Sequence, residues 1–228
     1  MPMVTWSRLD LENWADAILQ DALKEKYESF APIDLMQLAA EYLGITIRYE
    51  VLSDNLDVYG ISVFQSTTLS LQRNGTTEYI EVDADTILLE QALQQKHLFG
   101  VRRFTKAHEI AHQILMRWEQ RALVTGTPDV AYLHRERSEH DWREWQADTL
   151  GSCLLMPRRL IDECLFRFGV TGKIPVYERH YLAPKDRMMV SNIAEFLGVS
   201  KAALLNRLVT LGHAERKTAS EWFERMWF

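Results

Sequence analysis

Apolar and polar residues recur along this chain with two different periods, and the change of period divides it. From Ser7 to Tyr27 the apolar residues Leu11, Trp14, Ile18, Ala22 and Leu23 fall at helical spacing, which predicts an amphipathic helix capped by Ser7. Pro32 and Asp34 open a second helix through Leu35, Leu38, Ala39 and Leu43, and Gly44 closes it as a left-handed cap. From Ile45 the period shortens to two. ITIRYEV, YGISVF, TLSLQ and EYIEV read as strands, and the Asn74-Gly75 pair between the last two is a hairpin turn. The pattern predicts a small antiparallel sheet of about three or four strands. Its edge could receive a substrate as an added strand, or the sheet could simply cover the helix that follows. Helical spacing is expected again from Thr86 to Leu98, after which Gly100 and Val101 turn the chain into the run Phe104 to Met116. There Phe104, Ala107, Ile110, Ala111, Ile114 and Leu115 are apolar nearly all round, the mark of a core helix. The fold class is therefore α+β. An N-terminal helix is expected over 1–30, a main domain over 31–170 and a C-terminal helical subdomain over 171–228.

The core helix carries chemistry. His108, Glu109 and His112 form an H-E-x-x-H arrangement, and residues four apart lie one above the other on a helix face, so the two imidazoles can grip one ion. Zinc suits two neutral imidazoles, and a catalytic zinc site takes a third protein ligand while keeping one position open. Zinc acidifies a water to a pKa of about 7, so Glu109, beside the first histidine, is placed as the base that takes its proton. The bland alternative is a pair of ordinary hydrogen-bonded histidines, and a third ligand decides between them. The extended form with a third histidine fails, because Leu115 stands at its glycine position and Trp118 at its histidine. Downstream, Glu144 and Asp148 give E-x-x-x-D at the head of another apolar helix ending Leu154, Leu155, Met156, Pro157. Glu144 is the expected third ligand. Asp148, one turn on, can accept the outer N–H of a ligating histidine.

Composition narrows the setting. The formal net charge of -6 repels a phosphate backbone, so nucleic-acid binding would need a local patch. No run of 18 or more apolar residues occurs, and the N-terminus lacks a signal-peptide pattern, which predicts a cytoplasmic protein with no membrane span. Two cysteines, Cys153 and Cys164, are too few for a disulfide framework. Cys153 could in principle bind zinc but is out of phase with Glu144. His134 and His140 are weaker candidates for oxyanion donors or reserve ligands, since histidines in a charged loop are commonly just solvated. The layout I-A-E-F-L-G-V-S, K-A-A-L-L-N-R-L from Ile193 is that of a helix-turn-helix, with Lys201, Asn206 and Arg207 able to face DNA. Its apolar residues are equally the core of a helical subdomain, and the acidic whole makes DNA contact the lesser expectation. Trp222, Phe223, Met226, Trp227 and Phe228 make the chain end apolar, as expected of a segment that docks on the body or on a partner.

R-R-F-T-K-A-H-E-I-A-H at Arg102 to His112, with E-W-Q-A-D and L-L-M-P between Glu144 and Pro157, resembles the ImmA/IrrE family of bacterial zinc metallopeptidases. The segments Pro32 to Val51 and Ile193 to Gly212 resemble what flanks the catalytic part in that family. The resemblance implies a zincin-like core of gluzincin type, with His108, His112 and Glu144 as zinc ligands and Glu109 as catalytic base. It also implies a protein substrate: a helix-turn-helix repressor, often encoded beside the peptidase on mobile elements, whose cleavage relieves repression. The long Gln113 to Arg143 separation of the second histidine from Glu144 is a departure from the family pattern.

Overall fold

A computed structural model of the chain describes residues 6–122, 131–133, 142–177, 181–218 and 221. It divides into two compact units, one of residues 1–29 with 34–155 and the other of 30–33 with 156–228. The division falls at Leu155/Met156, and the N-terminal helix lies in the same unit as the H-E-x-x-H helix.

In the first unit, α1 (Arg8–Leu23) starts as expected: Ser7 and Asp10 form a reciprocal capping box. Leu11, Ala15, Leu19 and Leu23 are buried. The apolar run after Asp34 forms a π-helical segment, Gln37–Tyr42, with Asp34 accepting from the amides of Met36 and Gln37 and Gly44 left-handed at φ 67°. The strands are β1 (Thr46–Glu50), β2 (Gly60–Val63), β3 (Thr67–Arg73), β4 (Thr76–Val82), β5 (Thr86–Glu90) and β6 (Ala131–Leu133).

Two expectations about the sheet are corrected. Thr86 to Glu90 is a strand, and only the following residues coil into short 3-10 turns. All five residues of β5 are buried because it lies between β1 and β2; covered on every side, it keeps no alternation and reads like a helix core. The main sheet, ordered β1-β5-β2-β6, is mixed: β1 pairs parallel with β5, while β2 is antiparallel to β5 and β6. The β3–β4 hairpin, turned at Asn74 and Gly75, stands as a separate two-stranded sheet. Its Leu71 and Val82 pack with Leu52, Val58, Ile61, Val63 and Leu88.

Helix α2 (Phe99–Ala122) lies against β2, and α3 (Trp142–Leu155) packs on both α1 and α2. Ala107, Ile110, Ala111 and Ile114 are almost fully buried; each isoleucine contributes about 1.5–3 kcal/mol by leaving water.

In the second unit, α4 (Arg158–Arg167) follows Pro157, β7 (Ile174–Val176) pairs parallel with β8 (Ala214–Arg216), and α5 (Pro184–Leu197) and α6 (Lys201–Leu211) meet at 102°. Left-handed Gly198 ends α5, and Ser200 caps α6 by accepting from the Ala203 amide. One DNA-facing residue is corrected: Arg207 is only 2% exposed and donates from Nε to the Met156 carbonyl at 2.9 Å, whereas Lys201 and Asn206 are exposed. Among the described residues no single helix is long and apolar enough to cross a membrane. The expected docking tail from Trp222 lies outside the described residues.

Candidate metal centre

The histidine helix meets the carboxylate helix where a side chain is missing. A Cβ on Gly151 would come within 3.0 Å of the Ala107 carbonyl group and of His108 Cα, so glycine lets the α3 backbone approach α2 beside the first histidine. About two turns towards the start of α3, this close approach places Glu144 over both imidazoles. His108 Nε2 lies 3.3 Å from Glu144 Oε2, and His112 Nε2 lies 3.2 Å from Glu144 Oε1. The two Nε2 atoms are 2.9 Å apart. All three residues are buried, at 2%, 5% and 8% exposure.

These spacings suit zinc. Tetrahedral coordination at about 2.0–2.2 Å sets neighbouring donor atoms about 3.3 Å apart, close to both carboxylate–imidazole distances, and two imidazoles with one carboxylate are a donor set for zinc rather than for magnesium or calcium. Among the described residues this is the group of His, Cys, Asp and Glu drawn together tightly enough to hold an ion. Cys153 is buried on α3 and is not part of it. His134 and His140 lie outside the described residues.

Asp148 Oδ1 lies 3.0 Å from His108 Nδ1. A carboxylate there accepts Nδ1–H, so that in the neutral ring the free lone pair is on Nε2, the atom that faces Glu144. Burial disfavours a charge on His108, but the carboxylates of Asp148 and Glu144, with Glu109 nearby, outweigh it and raise its pKa to about 10. His112 moves the other way: burial lowers it, and the adjacent His108 adds to the effect against the pull of Glu144. The pair therefore carries one proton beyond the two neutral rings, on His108, and a cation taking both Nε2 atoms must displace it.

Glu109 is fully buried against β2. Ser62 Oγ is 2.7 Å from its Oε2 and 3.0 Å from its carbonyl oxygen. Gly60 leaves room for the other carboxylate oxygen, since a Cβ there would lie 2.8 Å from Glu109 Cγ and Cδ. Gln113 Nε2 donates to the Val63 carbonyl at 3.0 Å and ties the strand to the helix. A small cavity beside His112 is lined by Phe64, Leu115, Met116, Glu119, Arg143 and Gln146. Gly60, Ser62 and Gly151 were missed in the sequence. In YGISVF the signal was present, since Gly60 and Ser62 share one strand face, and a small or polar pair there marks a face that something else must fill.

Residues 40–209 match the family model described as the IrrE N-terminal-like domain of peptidases. A 76-residue stretch is 40% identical to the radiation response metalloprotease IrrE of Deinococcus deserti, covering 32% of this chain and 24% of that protein. A Mycobacterium tuberculosis transcriptional regulator aligns structurally with TM-score 0.46 and 14% identity, covering 87% of this chain and 46% of that one. In both comparisons the chain spans less than half the length of the relative. With the family model matched over most of its length, the chain belongs to the IrrE N-terminal-like domain family of peptidases.

Proposed function

We propose that the chain is a zinc-dependent, site-specific endopeptidase of the cytoplasm that cuts a partner helix-turn-helix repressor. The observation that supports this most is the gathering of His108, His112 and Glu144 within 4.8 Å of one another, next to the buried carboxylate of Glu109. His108 and His112 would hold zinc through Nε2 and Glu144 through its carboxylate, with Asp148 fixing the His108 tautomer. Bound there, zinc supplies a Lewis acid that polarises a carbonyl and acidifies a water at neutral pH. Glu109 would accept a proton from the attacking water and return it to the departing amine.

A protease free in the cytoplasm must spare other proteins. Specificity would come from docking the partner away from the metal and presenting one extended segment to it, so that binding energy is spent only on the right substrate. The α5–α6 pair and the apolar chain end are the surfaces we assign to docking. The test is to incubate wild type and Glu109→Gln with the repressor encoded beside the gene, and with casein, following products by mass spectrometry. One zinc-dependent cut in the repressor, absent with Glu109→Gln, is expected. Binding without a cut by wild type would favour a non-catalytic regulator, and digestion of casein at many sites a general peptidase.

A further inference from the structure

We propose that Ser62 is the positioning residue of Glu109, holding one carboxylate oxygen so that the other is the one presented for proton transfer. The inference rests on reading Glu109 as the base. Gly60 and Ser62 lie two apart on β2 and so share the strand face turned to α2, while Ile61 and Val63 face the hairpin core. The carboxylate of Glu109 sits in the notch this face makes. Ser62 Oγ meets Oε2 at 2.7 Å, and Gly60 provides the space for Oε1, which is buried and has no hydrogen-bond partner among the described residues.

The asymmetry is what a base requires. An acceptor buried without a partner is costly, and such groups persist where an absent water or substrate completes them. A hydroxyl suits this task better than a cation would. Lysine or arginine at residue 62 would neutralise the carboxylate and weaken it as a proton acceptor, whereas a serine fixes its direction and leaves the charge in place. The ledge is itself rigid: β2 is paired on both sides, to β5 and β6, and Gln113 anchors Val63. Ser62 also lies within reach of the Glu109 carbonyl, so its hydroxyl would be satisfied with no role in the reaction. That simpler reading makes a different prediction.

The experiment compares Ser62→Ala, Ser62→Thr and Gly60→Ala with wild type on the cleaved substrate, with zinc content measured on each preparation. For Ser62→Ala, kcat should fall about 10–100-fold with KM changed by less than about twofold and zinc retained, and Ser62→Thr should recover much of the loss. Gly60→Ala, which fills the space of Oε1, should also lower kcat and retain zinc. A crystal structure of Ser62→Ala prepared with chelator provides a readout apart from activity: the Glu109 carboxylate should leave its place on β2. An unchanged kcat in Ser62→Ala, a loss of zinc that accounts for the loss of rate, or a carboxylate that stays in place would overturn the proposal. If wild type cuts no substrate offered, the proposed function is what fails, and the position of Glu109 in the Ser62→Ala crystal still decides for or against the positioning role.

Discussion

Gly151 and His108 touch through their backbones: any side chain on the glycine would meet the histidine's Cα at 3.0 Å. The contact lies between helix backbones that cannot yield without moving apart, so its consequence is expected at the proposed metal ligands. Gly151→Ala should push α3 away from α2 and draw Glu144 back from the imidazoles. Overpacking of this kind costs about 1–3 kcal/mol, and it should lower both the melting temperature and zinc affinity. Thermal unfolding and a competitive chelator titration check it. An alanine variant with wild-type affinity would show that the two helices are not held at contact distance.

In the proposed zinc site Asp148 would act on the metal through His108, which separates its effect from that of a ligand. Asp148→Asn keeps the shape and loses the charge, and the amide can present its N–H to Nδ1 and so favour the wrong tautomer. Zinc affinity should fall about 10–100-fold, less than for Glu144→Ala. Chelator competition on both variants gives the order, and a greater loss for Asp148→Asn would reverse the assigned roles.

Protonation of His108 predicts how binding depends on pH. With its pKa raised to about 10, the residue is charged at pH 7 and must give up that proton to zinc. Calorimetry of zinc binding at pH 7 in buffers of different ionisation enthalpy should report release of about one proton. The same shift fixes the sign for stability in the presence of chelator. The imidazolium's contribution is fully present below the unfolded pKa of about 6.5 and is lost as pH rises through about 10. His112, lowered by burial, works against stability on the acid side, where it is forced to take a proton. Unfolding experiments in chelator from pH 6.5 to 10 should therefore show declining stability, and a rise across that range would contradict the assignment.

Arg207 is structural. Its Nε–H supports the Met156 carbonyl inside the second unit, so Arg207→Ala should destabilise that unit by about 1–3 kcal/mol through the buried carbonyl left behind. Thermal unfolding measures this. Selective loss of DNA affinity with unchanged stability would show the opposite.

What could be read from the sequence was what local spacing encodes. His108, Glu109 and His112 are brought together by one helical period, and Ser7, Gly44, Asn74-Gly75 and Gly198 announce their caps and turns by residue type alone. Glu144, which the structure gathers with His108 and His112, could be picked out because a second apolar helix begins at a carboxylate. The fate of β5 depended on its neighbours: a strand buried on all sides keeps no period, and its parallel pairing with β1 is set by residues far along the chain. Gly151 and Ser62 were hidden for a related reason. Each matters because of what it meets, an α2 backbone for one and a carboxylate for the other, and neither partner lies near it in sequence. Arg207 was misplaced because helical spacing tells which residues share a face but not which face the core takes.

The central claim is a single zinc held by two histidines and a glutamate. Its most direct measurement is a zinc titration of chelator-treated protein, read by elemental analysis after removal of excess metal, on wild type, His112→Ala, Glu144→Ala and Glu109→Gln. About one zinc per chain is expected for wild type and for Glu109→Gln, almost none for His112→Ala and a strongly weakened site for Glu144→Ala. Well-folded wild type that binds no zinc, or His112→Ala that binds it as tightly as wild type, would contradict the account.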